Sequence, residues 1–132
     1  MAKRTATEFK SNASTRRKVC IDDANSHHIL QFLQTDSMRI TKFRYIVELI
    51  LLNKTNSEQF KKEADGVFAM IMFKGGQNIR IYCKEQKGEN GTCFIIASEL
   101  LEKKKNQRNS HAENSLIQTV KQYEYDIRPQ SK

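Results

Sequence analysis

Two hydrophobic periodicities follow one another along the chain, and the change falls near Phe60. Between Ile29 and Ile50, apolar residues recur every three or four positions, which is the spacing of an amphipathic helix. Asp36 divides this segment and offers a helix cap, so the pattern predicts two short helices. Because the link between them is short, we expect an antiparallel helical hairpin whose apolar stripe is core.

After this point the pattern is typical of strands. Residues 67–73 read VFAMIMF, an apolar run suited to a strand covered on both faces. Residues 79–84 alternate apolar and polar side chains, as in a strand with one wet face. Residues 92–97 (TCFIIA) form a third run, and glycine-containing turns at 74–77 and 87–91 separate the three. We therefore expect an antiparallel meander.

The two ends of the chain show different patterns. Residues 1–18 are polar without a period, and we interpret them as a flexible basic arm, followed by a short edge strand at 19–21. Ser110 begins a capping box, which predicts a helix over 112–126. The sequence therefore predicts an α+β domain over 19–132, in which a helical hairpin packs on a small antiparallel sheet with a C-terminal helix.

The charge balance points to a polyanionic partner. Twenty-three Lys and Arg residues stand against fifteen Asp and Glu, which gives 132 residues a formal net charge of +8. Such a surface attracts nucleic acid, a membrane face or an acidic protein, and a basic surface without a nucleic-acid role stays open. No apolar run reaches membrane-spanning length and the N-terminus lacks a signal-peptide core, so we expect a cytoplasmic protein that makes no membrane contact.

The three cysteines predict reduced thiols rather than a metal site. Cys20, Cys83 and Cys93 are odd in number and lack the spacing of zinc ligands, and His27 and His28 have no cysteine nearby. We expect no metal, no cofactor and no disulfide.

Hairpin geometry brings basic residues from distant segments to one edge of the expected sheet. If the third strand runs back along the second, Arg80 falls opposite the region of Ala97, near the turn at Lys74. An arginine in mid-strand needs an anionic partner or a wet groove, and the alternative is a structural ion pair with Glu99 or Glu102. The complete basic set is Lys74, Arg80, Lys103, Lys104, Lys105 and Arg108.

From about Ile29 onward the sequence resembles the RelE/ParE toxin superfamily, and most closely its HigB-like branch. FLQTDSMRITKFRYIVELI at 32–50 is similar to the opening helical hairpin of those toxins. FKKEADGVFAMIMFKGGQNIRIYC at 60–83 resembles the segment that leads through two strands to an Arg-Ile-Tyr strand. CFIIASELLEKKKNQRNS at 93–110 resembles the third strand and the basic loop. These segments keep the family order, and the fold implied is RelE-like.

The resemblance implies the toxin of a type II toxin–antitoxin system, a ribosome-dependent mRNA endoribonuclease that works without a metal and inhibits translation. Its implied partners are the ribosome, mRNA and a cognate antitoxin, of the helix-turn-helix type. Such chemistry needs cations aimed at the phosphate and groups that move protons.

Site residues are implied by matching positions. Arg80 matches the family's strand arginine and would stabilise the charge of the transition state. Lys104 and Lys105 match the loop lysine pair, with Lys103 as the alternative within one residue. Tyr125, or Tyr123 instead, matches the tyrosine of the closing helix. Contacts to RNA are implied for Lys74, Tyr82, Lys103 and Arg108.

One departure from the family pattern leaves several functions open. Ala69 and Ile71 stand where family members carry Glu and Arg, and one lost cation could cost on the order of 10²–10³ in rate. We prefer the active endoribonuclease because Arg80 and the lysine loop are present. The alternatives are a catalytically weakened or inactive protein of the same fold that binds RNA or a protein partner, and an inhibitor of gyrase.

Overall fold

The structure of the chain, which is a computed structural model, describes residues 3–104 and 110–130. These residues form seven strands and three α-helices. The strands are β1 (Arg4–Asn12), β2 (Arg17–Asp22), β3 (Phe60–Ala64), β4 (Val67–Met72), β5 (Ile79–Lys87), β6 (Cys93–Leu101) and β7 (Tyr125–Arg128). The helices are α1 (Ser26–Gln34), α2 (Ser37–Leu51) and α3 (His111–Gln122), and a 3-10 turn at Glu89–Gly91 lies between β5 and β6.

All seven strands belong to one mixed sheet. Their spatial order is β3-β4-β5-β6-β2-β1-β7. The strands from β3 to β6 are antiparallel neighbours, as in a meander. β2 then lies parallel to β6, β1 is antiparallel to β2, and β7 is parallel to β1. The sheet therefore combines a four-stranded antiparallel unit with a second unit that contains the first and last strands.

Helices cover both faces of the sheet. On one face, α1 and α2 pack their apolar stripe, including Phe43 and Ile46, against Met70 and Ile81 in a large core. On the other face, α3 packs against β4 and β5, and Tyr82 belongs to that second cluster. Because neighbouring residues of a strand point to opposite faces, Ile81 and Tyr82 end in different cores.

Two of the three α-helices, α2 and α3, begin at a side chain that caps them, whereas the N-cap Asn25 of α1 makes no such bond. The Asp36 carboxylate accepts a hydrogen bond from the Met38 amide (2.9 Å) at the start of α2. The Ser110 hydroxyl accepts one from the Glu113 amide (3.2 Å) at the start of α3. Each cap provides a partner for an amide that the first helical turn leaves without one.

The predicted fold class is wrong. A helical hairpin on a small antiparallel RelE-like sheet was expected, whereas the described residues form a seven-stranded mixed sheet that also contains strands before and after the helices. Residues 4–12 of the expected flexible arm are the strand β1. Only Ala6 is fully buried there, and a bulge between Glu8 and Lys10 shifts the alternation, so the pattern resembles a polar tail. Residues 19–21 lie within β2, between β6 and β1, rather than at an edge.

The end of the chain also differs from the prediction. The helix expected over 112–126 ends at Gln122, and Tyr125–Arg128 form β7 instead. The three central strands are present where they were expected, although β5 and β6 are longer. Cys20, Cys83 and Cys93 are buried and unbridged, as predicted. No helix within residues 3–104 and 110–130 has the length and apolar character needed to cross a membrane.

A buried polar cluster attaches β7 to the rest of the sheet. The Asp22 carboxylate is fully buried and accepts hydrogen bonds from Tyr125 Oη (2.6 Å) and Arg4 Nε (2.7 Å). Tyr125 Oη also lies 2.9 Å from Ser98 Oγ, so strands β1, β2, β6 and β7 all contribute. Burial and the bond to Asp22 raise the pKa of the Tyr125 phenol above its ordinary value.

We expect Tyr125→Phe to lower the free energy of unfolding by about 1–3 kcal/mol, because the buried Asp22 carboxylate would lose a donor. Urea unfolding followed by circular dichroism measures this. Tyr45→Phe is the matched control, since Tyr45 is 51% exposed, and it should change stability by less than about 0.5 kcal/mol. Equal effects of the two variants would show that the cluster does not hold β7.

The raised pKa of Tyr125 also predicts how stability depends on pH. The folded state keeps the phenol proton to higher pH than the unfolded state, which releases it at about pH 10. The stabilisation that the protonated Tyr125 phenol provides is therefore complete below about pH 10 and is lost as the pH rises further. Between neutral pH and about pH 11, the free energy of unfolding should fall less for Tyr125→Phe than for the unmutated chain.

Candidate anion-binding site

A pocket of about 310 Å³ lies at the end of the sheet where β4 and β6 finish and β3 and β5 begin. Cross-strand pairing brings its walls together, because directly opposed residues project from the same face. Lys61 pairs with Ala69, and Ile71 pairs with Arg80. All four line the pocket, together with Lys104 from the chain after β6. The pocket therefore opens on the face that α3 covers.

Arg80 is the most buried cation of the site. It is 6% exposed, and its strand neighbours are Ile71 on β4 and Leu101 on β6. Burial lowers the pKa of the guanidinium, although the Glu63 and Glu113 carboxylates act in the opposite direction. Its Nη1 atom has no hydrogen-bond partner among the described residues. Arg80 thus offers a donor that the described residues leave unused.

Lys104 is the second buried cation. It is 8% exposed, and its Nζ lies 3.8 Å from Glu113 Oε2. Burial and the neighbouring Arg80 charge lower the pKa of the Lys104 ammonium. Two backbone hydrogen bonds fix the position of this residue: its amide donates to the Asn78 carbonyl (2.9 Å), and its carbonyl accepts from Asn78 Nδ2 (2.7 Å).

Two unsatisfied polar atoms, Asn78 Oδ1 and Arg80 Nη1, belong to residues that line this pocket, and two others belong to Tyr82 and Glu113, whose charges act on Arg80. Five buried side-chain oxygens or nitrogens lack a hydrogen-bond partner in the part of the chain that the structure describes. Four of them belong to Asn78, Arg80, Tyr82 and Glu113. Burial, with Glu113 and Glu63 nearby, raises the pKa of Tyr82 to about 12. Each such atom costs free energy unless something completes its hydrogen bonds, so the pair at the pocket, Asn78 and Arg80, indicates a ligand site.

Exposed lysines surround the opening. The Lys74 side chain is 60% exposed and lies 3.8 Å from Glu58. The Lys61 side chain is 58% exposed and lies 3.8 Å from Glu63, whose own side chain is only 7% exposed. The Lys74–Glu58 pair is exposed on both sides and contributes little free energy, so the Lys74 ammonium can turn towards an incoming anion.

The structure brings together three of the residues that the sequence analysis selected. Lys74, Arg80 and Lys104 all line the pocket. The residue opposite Arg80 on β6 is Leu101 rather than the region of Ala97, because β6 is longer than expected. Lys103 is exposed beside Lys104 and does not line the pocket. The predicted residues Lys105 and Arg108 lie outside the described residues.

Two predicted tyrosines lie away from the pocket opening. Tyr82, selected for contact with RNA, is 1% exposed beneath α3 and has no surface on which a base could stack. Tyr125, selected as a catalytic residue, lies in β7 with three strands between it and β5. Tyr123, the alternative, donates a hydrogen bond to Glu99. Neither of these last two tyrosines is part of the pocket.

The carboxylates near Arg80 are not those that were expected. Glu99 accepts hydrogen bonds from Asn25 and Tyr123, and Glu102 pairs with His28 at 3.3 Å. The carboxylates that act on the Arg80 charge are instead Glu63 on β3 and Glu113 on α3.

Sequence reasoning missed the residues that complete the site. Glu63 follows Lys61 at strand spacing on β3, which was a usable signal, but the short strand itself was not predicted. Glu113 was identified only for its place in the capping box. Asn78 ends a polar turn with a φ of 54°, and nothing in the sequence distinguishes its side chain from that of a turn residue.

The arrangement is suited to an oxyanion. A guanidinium and a lysine line a pocket that also has a carboxylate, so it can bind negative charge and exchange protons. In the described residues, no group of three His, Cys, Asp or Glu side chains forms a metal site. The chain matches no protein-family model, no curated protein and no solved structure. The resemblance to RelE/ParE toxins therefore stays a prediction.

Because Arg80 is buried and its Nη1 has no partner within residues 3–104 and 110–130, we expect this side chain to contribute little to stability. Arg80→Met should leave the free energy of unfolding within about 1 kcal/mol of the original value or raise it. Ile81→Ala, its neighbour in the other core, should cost about 2–5 kcal/mol in the same urea experiment. A loss above about 3 kcal/mol for Arg80→Met would identify a structural ion pair instead.

Proposed function

We propose that the pocket binds a phosphodiester of RNA and that the protein is a metal-independent endoribonuclease. The observation that carries the proposal is the Arg80 guanidinium, which is buried at the pocket with Nη1 unpartnered among the described residues. A guanidinium matches the geometry of two phosphate oxygens, and the burial of Arg80 away from water strengthens that attraction. The net charge of +8 favours the approach of a polyanion.

The pocket residues can divide the steps of cleavage between them. The ribose 2′-oxygen attacks the adjacent phosphorus and gives its proton to the Glu63 carboxylate. Arg80 stabilises the negative charge of the pentavalent phosphate. The bond from phosphorus to the 5′-oxygen breaks, and that oxygen takes a proton from Lys104. A lowered lysine pKa makes the ammonium a stronger acid. The products are a 2′,3′-cyclic phosphate and a 5′-hydroxyl.

The biological role in this proposal comes from the sequence resemblance alone, because the observed fold differs from the fold that the resemblance implied. In that setting the protein is a cytoplasmic type II toxin that cuts mRNA at the ribosome. A helix-turn-helix antitoxin would be its partner and would silence it.

A second candidate is a protein that binds RNA or another partner without cutting. Ala69 and Ile71 line the pocket, where the resemblance expects charged side chains. An apolar wall beside Arg80 supplies no further charge to the transition state, and this favours binding over catalysis.

We expect the purified protein to cut mRNA on translating ribosomes and its expression to arrest bacterial growth. Arg80→Met should slow cleavage by on the order of 10²-fold or more, because the main cation at the phosphate is lost. Arg80→Lys should recover only part of the rate, since an ammonium cannot form the two-pronged contact of a guanidinium. Toeprinting measures the cut directly.

Arg44→Lys serves as the matched control for these variants. Arg44 is exposed on α2, outside the pocket, so this change should leave cleavage and growth arrest as they were. Cleavage that survives Arg80→Met would contradict the mechanism. Tight RNA binding without any cut by the unmutated chain would support the second candidate instead.

Two exposed lysines, Lys74 at the pocket and Lys103 next to Lys104, are taken as the rim and predict the salt dependence of binding. If Lys74 and Lys103 each contact a phosphate of single-stranded RNA, each alanine variant should flatten the slope of log K against log salt by about 0.7. Lys3→Ala is the control, because Lys3 pairs with Asp126 beside the β1–β7 edge of the sheet. Fluorescence anisotropy measures the slopes, and equal slopes for all variants would mean that the rim does not touch RNA.

A further inference from the structure

Asn78 lies at the pocket in a conformation that its hydrogen bonds fix. It precedes β5 with a left-handed φ of 54°, and its amide donates to the Phe73 carbonyl (2.7 Å). Its carbonyl accepts from the Lys104 amide, and its Nδ2 donates to the Lys104 carbonyl. A carbonyl can only accept, so the side-chain nitrogen must face Lys104 and the orientation of the amide is determined.

This orientation leaves Asn78 Oδ1 as a buried acceptor without a partner among residues 3–104 and 110–130. Arg80 lies two residues further along the chain, and its buried donor Nη1 also has no partner among these residues. Both residues line the pocket. Asn78 directly precedes β5 and Arg80 is the second residue of that strand, so both reach the pocket from the same end of the sheet. The pocket therefore offers one acceptor and one donor to the same ligand.

A ligand that satisfies both atoms must donate one hydrogen and accept another. A phosphodiester has only acceptors, so the hydrogen has to come from a neighbouring group. In RNA the 2′-hydroxyl stands next to the 3′-phosphate and is such a donor, whereas DNA has no hydroxyl there. A carboxylate at position 78 would still accept from this hydroxyl, but a glycine would not.

We propose that Asn78 is the residue that makes the pocket specific for ribose: its Oδ1 accepts a hydrogen bond from the 2′-hydroxyl while Arg80 binds the adjacent 3′-phosphate. This inference rests on the proposed phosphate site. The hydroxyl rotates about its C–O bond, so a hydrogen held by Asn78 on binding turns to Glu63 when the oxygen attacks. Asn78 binds the substrate and also positions Lys104.

Isothermal titration calorimetry with two small probes tests the proposal. The probes are adenosine 3′-phosphate and 2′-deoxyadenosine 3′-phosphate, which differ only in the hydroxyl. The unmutated chain should bind the ribose probe about 10-fold more tightly, because the deoxy probe leaves Oδ1 unsatisfied. Asn78→Asp should keep a preference for ribose, since an acceptor remains although the bond to the Lys104 carbonyl is lost.

Asn78→Gly should bind the two probes about equally, because the acceptor is gone. Glycine accepts a left-handed φ without strain, so the turn keeps its conformation, and a thermal melt verifies this. A ribose preference that survives in Asn78→Gly would overturn the proposal, as would equal affinity of the two probes for the unmutated chain.

The phosphate site and the role of Asn78 are distinguished by different results. If the unmutated chain binds both probes equally and Arg80→Met abolishes that binding, the phosphate site stands and the role of Asn78 is overturned. If neither probe binds the unmutated chain, the phosphate site itself is overturned, and the ribose specificity with it.

Discussion

The parallel pairing of β2 with β6 is the contact on which the rest of the sheet depends. It joins the antiparallel unit of β3 to β6 to the unit that contains β1 and β7. Val19 and Ile95 of this pair belong to the core beneath α1 and α2, and Cys20 and Ile96 belong to a cluster on the opposite face. The β2–β6 pair is therefore buried on both faces of the sheet.

The parts of the fold that could be predicted are those with local signals. The capped helices and the three central strands follow from periodicity and turn residues, which act over a few positions. β1 could not be predicted, since a bulge and a lone buried Ala6 hide its alternation. β7 could not be predicted either, because Tyr125 comes soon after the apolar stripe of α3 and looks like its continuation. The segment becomes a strand through partners that are distant in sequence, above all Asp22.

The candidate site could also be predicted only in part. Hairpin geometry alone brought Arg80 close to Lys74 and Lys104, because antiparallel strands return to their starting edge. Glu63 and Asn78 were missed, since their importance comes from an unpredicted edge strand and from a hydrogen bond across the pocket. Sequence reasoning thus located the cations but not the groups that determine what they would bind.

The adjacency of β1 and β7 has a consequence for how the chain folds during synthesis. β1 is translated early and β7 late, with almost the whole described chain between them. Until Tyr125 leaves the ribosome, the outer edge of β1 has no neighbour and Asp22 lacks one of its donors. An open strand edge is a template for aggregation, so the nascent protein passes through a stage in which a chaperone that covers this edge would raise its yield.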